Sequence, residues 1–195
     1  MKLMRCTTGS IPALFPRPLF MAELLSLPAT TAAVVAVAEH KEVDMAEYLT
    51  RDAVESVALN SPIPFVDSIP CNKGCVFHQS GTGIFVLRGI TNNCFARYEV
   101  EFTGNIAIPT GGAVTPIATA IVVSGEARDG SRSIYTPAAV DEYGNVTSRA
   151  TVDVPKGCCF TVSVEYVNGS VNDPTTTPTP LINVVDGSLS ISRTA

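Results

Sequence analysis

The chain has 195 residues, enough for one ordinary domain with an extension or for two small ones. It carries 18 Asp and Glu against 13 Lys and Arg and so lacks the basic face that nucleic acid requires. Aromatic residues are few, Trp is absent, and no apolar run reaches the roughly 20 residues of a transmembrane helix, so neither a stacking platform nor a membrane partner is expected.

Residues 1–20 start basic, but Pro12, Pro16 and Pro18 break their apolar part, and no signal-peptide core forms. They read as disordered or as a mis-assigned start, with Met21 opening the product; a floppy natural terminus fits as well. Thr30–Ala38, TTAAVVAVA, is an apolar run whose period does not separate strand from helix. Over Lys41–Leu59, the residues Val43, Ala46, Tyr48 or Leu49, Ala53, Val54 and Val57 recur at spacings of three and four. Charged residues fill the gaps. That pattern predicts a short amphipathic helix, stopped by Asn60, Ser61, Pro62 and Pro64. Residues 21–60 thus read as an N-terminal arm with a helix, and 61–195 as a separate domain.

From Ile63 the pattern is all β. The run Asn93–Gly104, NCFARYEVEFTG, is the clearest: Ala96, Tyr98, Val100 and Phe102 alternate with Arg97, Glu99, Glu101 and Thr103. Period two with one apolar face predicts a half-buried antiparallel strand. Further strands are predicted near Ile63–Ile69, Cys75–Gln79, Ile84–Arg88, Ile117–Ser124, Ser133–Val140, Val146–Val154, Cys158–Val167 and Ser188–Arg193. Gly, Pro and Asn close each of them, and such spacing means a sandwich or barrel. Asn168–Pro180, NGSVNDPTTTPTP, reads as an exposed polar loop. Ile117–Val123 and Ala138–Val140 are apolar on both faces. Such strands need cover on both sides, and packing around a threefold axis would supply it.

No segment unites a nucleophile, a base and an orienting group. Of the six cysteines, Cys71, Cys75, Cys158 and Cys159 are candidate thiolates for a zinc ion. Their spacing departs from the usual knuckle, and adjacent cysteines seldom share an ion. A disulfide between Cys71 and Cys75, or from either to Cys94 or Cys158, is an alternative; buried reduced thiols are the leading reading. His78 near Cys75 or Cys94 lacks an oxyanion hole and reads as an ordinary strand histidine. Asp141, Glu142, Asn145 and Asp153 offer oxygens to calcium, but no calcium-loop pattern encloses them. No cofactor is expected.

Gly83–Leu87, Asn93–Thr103, Ile117–Glu126, Val146–Val167 and Asp186–Arg193 follow the strand order of the tumour-necrosis-factor and complement globular-head jelly roll, which they resemble from about Phe65 to Ala195. The strings FARYEVEFTGNIAIPTGG, TPAAVDEYGNV and VDVPKGCCFTVSVEYVN also resemble a small virion protein of phages and prophages of Gram-positive gut bacteria. These resemblances imply an all-β jelly-roll β-sandwich behind an N-terminal arm and short helix. They imply a non-enzymatic homotrimer of head-decoration or head-fibre type, assembled in the bacterial cytoplasm. The arm would hold a capsid or other virion protein, and a host surface receptor is a further expected partner. A tail-fibre receptor-binding tip and a bacterial surface or spore-coat module are the alternatives.

Overall fold

The computed structural model describes residues 44–50, 53–69, 74–170 and 175–194. The expectations for residues 1–20, for Thr30–Ala38 and for most of the arm lie outside them. The described residues belong to one compact unit, Val43–Ala195, built as two facing antiparallel sheets. In chain order the strands are β1 Asp44–Leu49, β2 Glu55–Ala58, β3 Asp67–Ile69, β4 Val76–His78, β5 Ile84–Arg88, β6 Phe95–Ala107, β7 Ile117–Val123, β8 Glu126–Ala127, β9 Ser133–Tyr135, β10 Gly144–Pro155, β11 Cys159–Asn168 and β12 Leu181–Arg193. The first sheet runs β10-β6-β12-β1-β3, with β2 also on β12; the second runs β4-β5-β11-β7-β8, with β9 also on β7.

Period two decides which side chains meet. Ala96, Tyr98, Val100 and Phe102 are fully buried and face Phe85, Leu87, Ile121, Val162, Val164 and Tyr166 from the other sheet in one core. The outer face of the first sheet is polar along β6 and β10. There Arg97 grips Asp153 with two hydrogen bonds of 2.7 and 2.9 Å, and Arg149 reaches Glu99 at 2.9 Å. This is the jelly-roll sandwich that the strand order implied.

Several expectations fail, among them the strand over Ser133–Val140, which stops at Tyr135 because Glu142 binds the N–H groups of Ala138 and Ala139 and folds that segment into a turn. Among the described residues the helix expected over 41–59 does not form: β1 and β2 occupy its place, laid end to end along β12. Ala46, Tyr48 and Thr50 point inward at spacing two, whereas Ala53 and Val54, both required on the apolar face of a helix, are exposed. The edge of β12 gives the backbone a ladder, and that tertiary pairing overrides a weak local period. The boundary expected at 60/61 is wrong for the same reason, because β1 and β2 belong to the sandwich.

The closing strand is also longer than predicted. Asp186-Gly187 is a bulge inside β12, where register slips between Val185 and Ser188. Asp186 takes a positive φ of 51°, and Gly187 lies so close to Thr50 that a Cβ would come within 2.6 Å of its methyl group. The Thr50 hydroxyl accepts the Gly187 N–H at 2.9 Å, and Thr50 N–H returns to the Gly187 carbonyl at 2.8 Å. β7 is buried at every position within the chain, with Ala118, Ala120 and Val167 forming a small cluster apart from the main core. Its two apolar faces therefore do not by themselves demand a second subunit.

Candidate functional site

The long strands sort the connections to two poles, about 40 Å apart for strands of this length. At the near pole Asp44 pairs with Arg193, so β1 begins where β12 ends. The 89–94 and 156–158 connections sit there too, joined by Gly89 N–H to the Cys158 carbonyl at 2.8 Å and Lys156 N–H to the Cys94 carbonyl at 3.0 Å. The far pole collects the 108–116 and 136–143 connections and the described part of 169–180.

The far-pole connections are tied to each other and to the sheets. Asp141 adopts a left-handed φ of 58°. Its N–H donates to the Ile108 carbonyl at 2.7 Å, and its carboxylate accepts the Thr110 hydroxyl. The Glu142 carboxylate accepts the N–H groups of Ala138 and Ala139 at 2.8 and 3.1 Å and so closes that turn. The Tyr166 hydroxyl, inside the core, donates to the Thr179 carbonyl at 2.7 Å and anchors the Pro/Thr segment. Burial pushes the Tyr166 phenol up to about 12. Tyr135 packs its ring on Gly144, where a Cβ would come within 2.4 Å of it. Burial, and then the nearby Glu142 carboxylate, raise its phenol above the ordinary value. Around this framework Val114 and Tyr143 are left exposed.

The calcium candidates are not brought together. Asp141 and Glu142 are engaged as described, and Asn145 donates to the Gly104 carbonyl and to Asn105 Oδ1. Asp153 lies at the other end of β10, where the hydrogen bonds from Arg97 hold its carboxyl below the usual range. Among the described residues no three His, Cys, Asp or Glu converge as metal ligands.

The cysteines correct the sequence reading. Cys75 is disulfide-bonded, to a partner outside the described residues, where Cys71 also lies. Cys158 and Cys159 are free but exposed, and Cys94 is exposed as well, so the buried reduced thiols do not occur there. Cys94 and Cys158 lie in the near-pole connections and Cys159 opens β11, and oxidation of Cys75 leaves it no thiolate for zinc.

His78 has a structural setting. Its Nε2 is 2.9 Å from the Thr82 carbonyl, to which it donates. Its ring stacks on Phe85 at 4.4 Å and meets Tyr48 edge-on at 5.0 Å. The ties of Glu142 and Tyr166 were invisible in the sequence. The one available signal was a lone Tyr on the core face of a strand, since a buried hydroxyl must find an acceptor.

No protein-family model matches the chain, and no curated protein matches it by sequence. Solved structures do match in fold. The globular domain of zebrafish complement 1qA protein is 14% identical, with a TM-score of 0.51 over 77% of this chain and 96% of that one. Eiger TNF from S. frugiperda is 8% identical, with a TM-score of 0.55 over 78% and 93%. Murine APRIL is 10% identical, with a TM-score of 0.51 over 78% and 100%. The class is thus a jelly-roll module of the tumour-necrosis-factor and complement globular-head fold.

Proposed function

We propose that the chain is a non-enzymatic display module: a homotrimeric virion surface protein of head-decoration type that presents its far-pole loops outward. The observation that carries this reading is polarity of architecture. The sandwich begins and ends at one pole, while the tied loops with exposed Val114 and Tyr143 occupy the other. Such an arrangement suits attachment at one end and contact at the other, and three linked copies turn weak contacts into avidity.

The outer face of the first sheet is the surface that suits the threefold contact. Met45 and Leu49 of β1, beside the small hydroxyls of Ser192 and Ser188, and Leu181 at the other end of β12 are each more than 40% exposed. Large apolar side chains grouped on one face favour cover by another chain. The virion setting rests on the sequence resemblance, with residues before the sandwich holding the capsid. Mixing the purified full chain with particles that lack it, then sedimenting them, tests the role. We expect co-sedimentation that saturates at a multiple of three copies. Failure to bind particles, with the mass of a single chain in free solution, overturns the reading.

A further inference from the structure

All four cysteines among the described residues gather at the near pole. Arg88 N–H donates to the Cys75 carbonyl at 2.9 Å, and the next residue, Gly89, donates to the Cys158 carbonyl at 2.8 Å. Lys156 N–H donates to the Cys94 carbonyl at 3.0 Å, and Cys159 follows Cys158 in the chain. Cys75 is oxidised, while Cys94, Cys158 and Cys159 carry free thiols. Period two tells these three apart. In β6, Ala96, Tyr98 and Val100 face the core, and Cys94 precedes Ala96 by two. In β11, Phe160 and Val162 face the core, and Cys158 precedes Phe160 by two. Cys94 and Cys158 thus continue the inward series of two facing sheets, past the point where the core ends, and both are exposed there. Cys159 belongs to the other series, with the exposed Thr161, and pairs with Arg88 on the outer face of the second sheet.

The backbone holds the inward pair on one tight turn. The bond from Lys156 N–H to the Cys94 carbonyl adds a rung to the β6–β10 ladder beyond Phe95 and Pro155, and residues paired in this way lie about 5.5 Å apart at Cα. Cys158 N–H donates to the Pro155 carbonyl at 2.9 Å and closes a four-residue turn, whose ends lie within about 7 Å of each other. Gly157 takes a φ of 77° in it. Gly89 locks the turn from the side. Its N–H holds the Cys158 carbonyl, its own carbonyl accepts Gly157 N–H at 3.0 Å, and a Cβ on it would come within 2.0 Å of the Pro155 carbonyl oxygen. A disulfide spans Cα atoms about 4.4–6.8 Å apart, which is the scale of this turn.

We propose that Cys94 and Cys158 form a second disulfide by exchange with a low-molecular-weight disulfide, and that this bond ties the start of β6 in one sheet to the start of β11 in the other. With glutathione disulfide the first protein thiolate attacks one sulfur, keeps that half as a mixed disulfide and releases the other half as a thiolate. The second protein thiol then loses its proton, displaces the bound glutathione and closes the ring. Two protein thiols are oxidised, and one glutathione disulfide is reduced to two glutathione thiols. The bond closes residues 94–158 into one loop across the sandwich. Cys159 takes no part, because its side chain leaves from the opposite face of β11.

Peptide mapping of the full chain tests the pairing. The unaltered chain and its Cys94→Ser, Cys158→Ser and Cys159→Ser variants are incubated with glutathione disulfide in the absence of reductant, alkylated, cut with trypsin and weighed by mass spectrometry. Trypsin cuts after Arg88, Arg97 and Lys156, so Cys94 and Cys158 fall on separate peptides. In Cys159→Ser we expect residues 89–97 joined to the peptide that begins at residue 157, with no glutathione on either. In Cys158→Ser the glutathione should stay on Cys94. The treatment should raise the melting temperature of the unaltered and Cys159→Ser chains by roughly 5 °C or more and leave Cys94→Ser and Cys158→Ser where they began. In Cys159→Ser, Cys94 and Cys158 left free or each carrying glutathione, or Cys94 joined to any other cysteine, overturns the proposal. So does a melting temperature that the treatment raises equally in all four chains or in none.

Discussion

Ser148 and Thr119 meet at the centre of the sandwich, both fully buried, with hydroxyl oxygens 2.8 Å apart and Ser148 also 3.1 Å from the Thr119 carbonyl. Each satisfies the other across the two sheets. Ser148→Ala leaves the Thr119 hydroxyl short of its partner, so we predict a loss of about 1–3 kcal/mol in urea unfolding, with Thr119→Val/Ser148→Ala recovering much of it. Tyr48 and Tyr166 carry a second prediction at this scale. Burial raises both phenols to about 12, from an ordinary value of 10. A folded-state pKa above the unfolded one contributes stability that is complete below the unfolded value and lost as pH rises toward the folded one. Stability should therefore hold up to about pH 10 and fall steeply from there to about 12, by on the order of 2 kcal/mol for each Tyr. Urea midpoints across that range, with Tyr166→Phe as comparison, measure it; an unchanged midpoint at pH 11.5 would contradict the assignment. The inward positions of Tyr98, Phe102, Val162 and Val164 were legible because alternation fixes a face. The Thr119–Ser148 pair was not, since two polar residues on core faces of different strands announce nothing until the sheets stack.

β4, β5, β7, β10 and β11 follow the predicted runs closely, because Gly, Pro and Asn mark their ends and period two marks their bodies, whereas β9 stops at Tyr135, short of the expected Val140, and β8 was not expected. β1 and β2 escaped because a stretch with Ala46, Leu49 and Ala53 satisfies a helical count as readily as a strand count. What decides is the free edge of β12, made by residues more than a hundred positions away. That gives a truncation test. Removing residues 1–42 should leave a folded sandwich, whereas removing residues 1–59 strips two strands from β12, takes Tyr48 off the Phe85 ring it packs on, and should yield insoluble protein. Solubility and a cooperative melt distinguish the two. The bulge at Asp186-Gly187 was mistaken for a strand start, since Asp-Gly is also the commonest turn signal; only its embrace by Thr50 shows the difference. The disulfide at Cys75 was one of several pairings the spacing allowed. Cys75→Ser should lower stability by about 2–4 kcal/mol, and a reductant should lower the melting temperature of the unaltered chain but not of the variant. Identical melts with and without reductant would show that the bond does not brace the sandwich.

At the scale of the whole molecule, the fold came through in strand order even though identity to its structural neighbours is 14% or lower. Jelly-roll topology is set by which runs alternate and where they stop, and many sequences satisfy that. The working surfaces did not come through, because edges, poles and grooves exist only once the sheets are stacked. The account places a threefold contact on the outer face of the first sheet, at β1. Native mass spectrometry of the full chain at micromolar concentration tests this most directly. The account predicts three copies for the unaltered chain; a single-chain mass would contradict it.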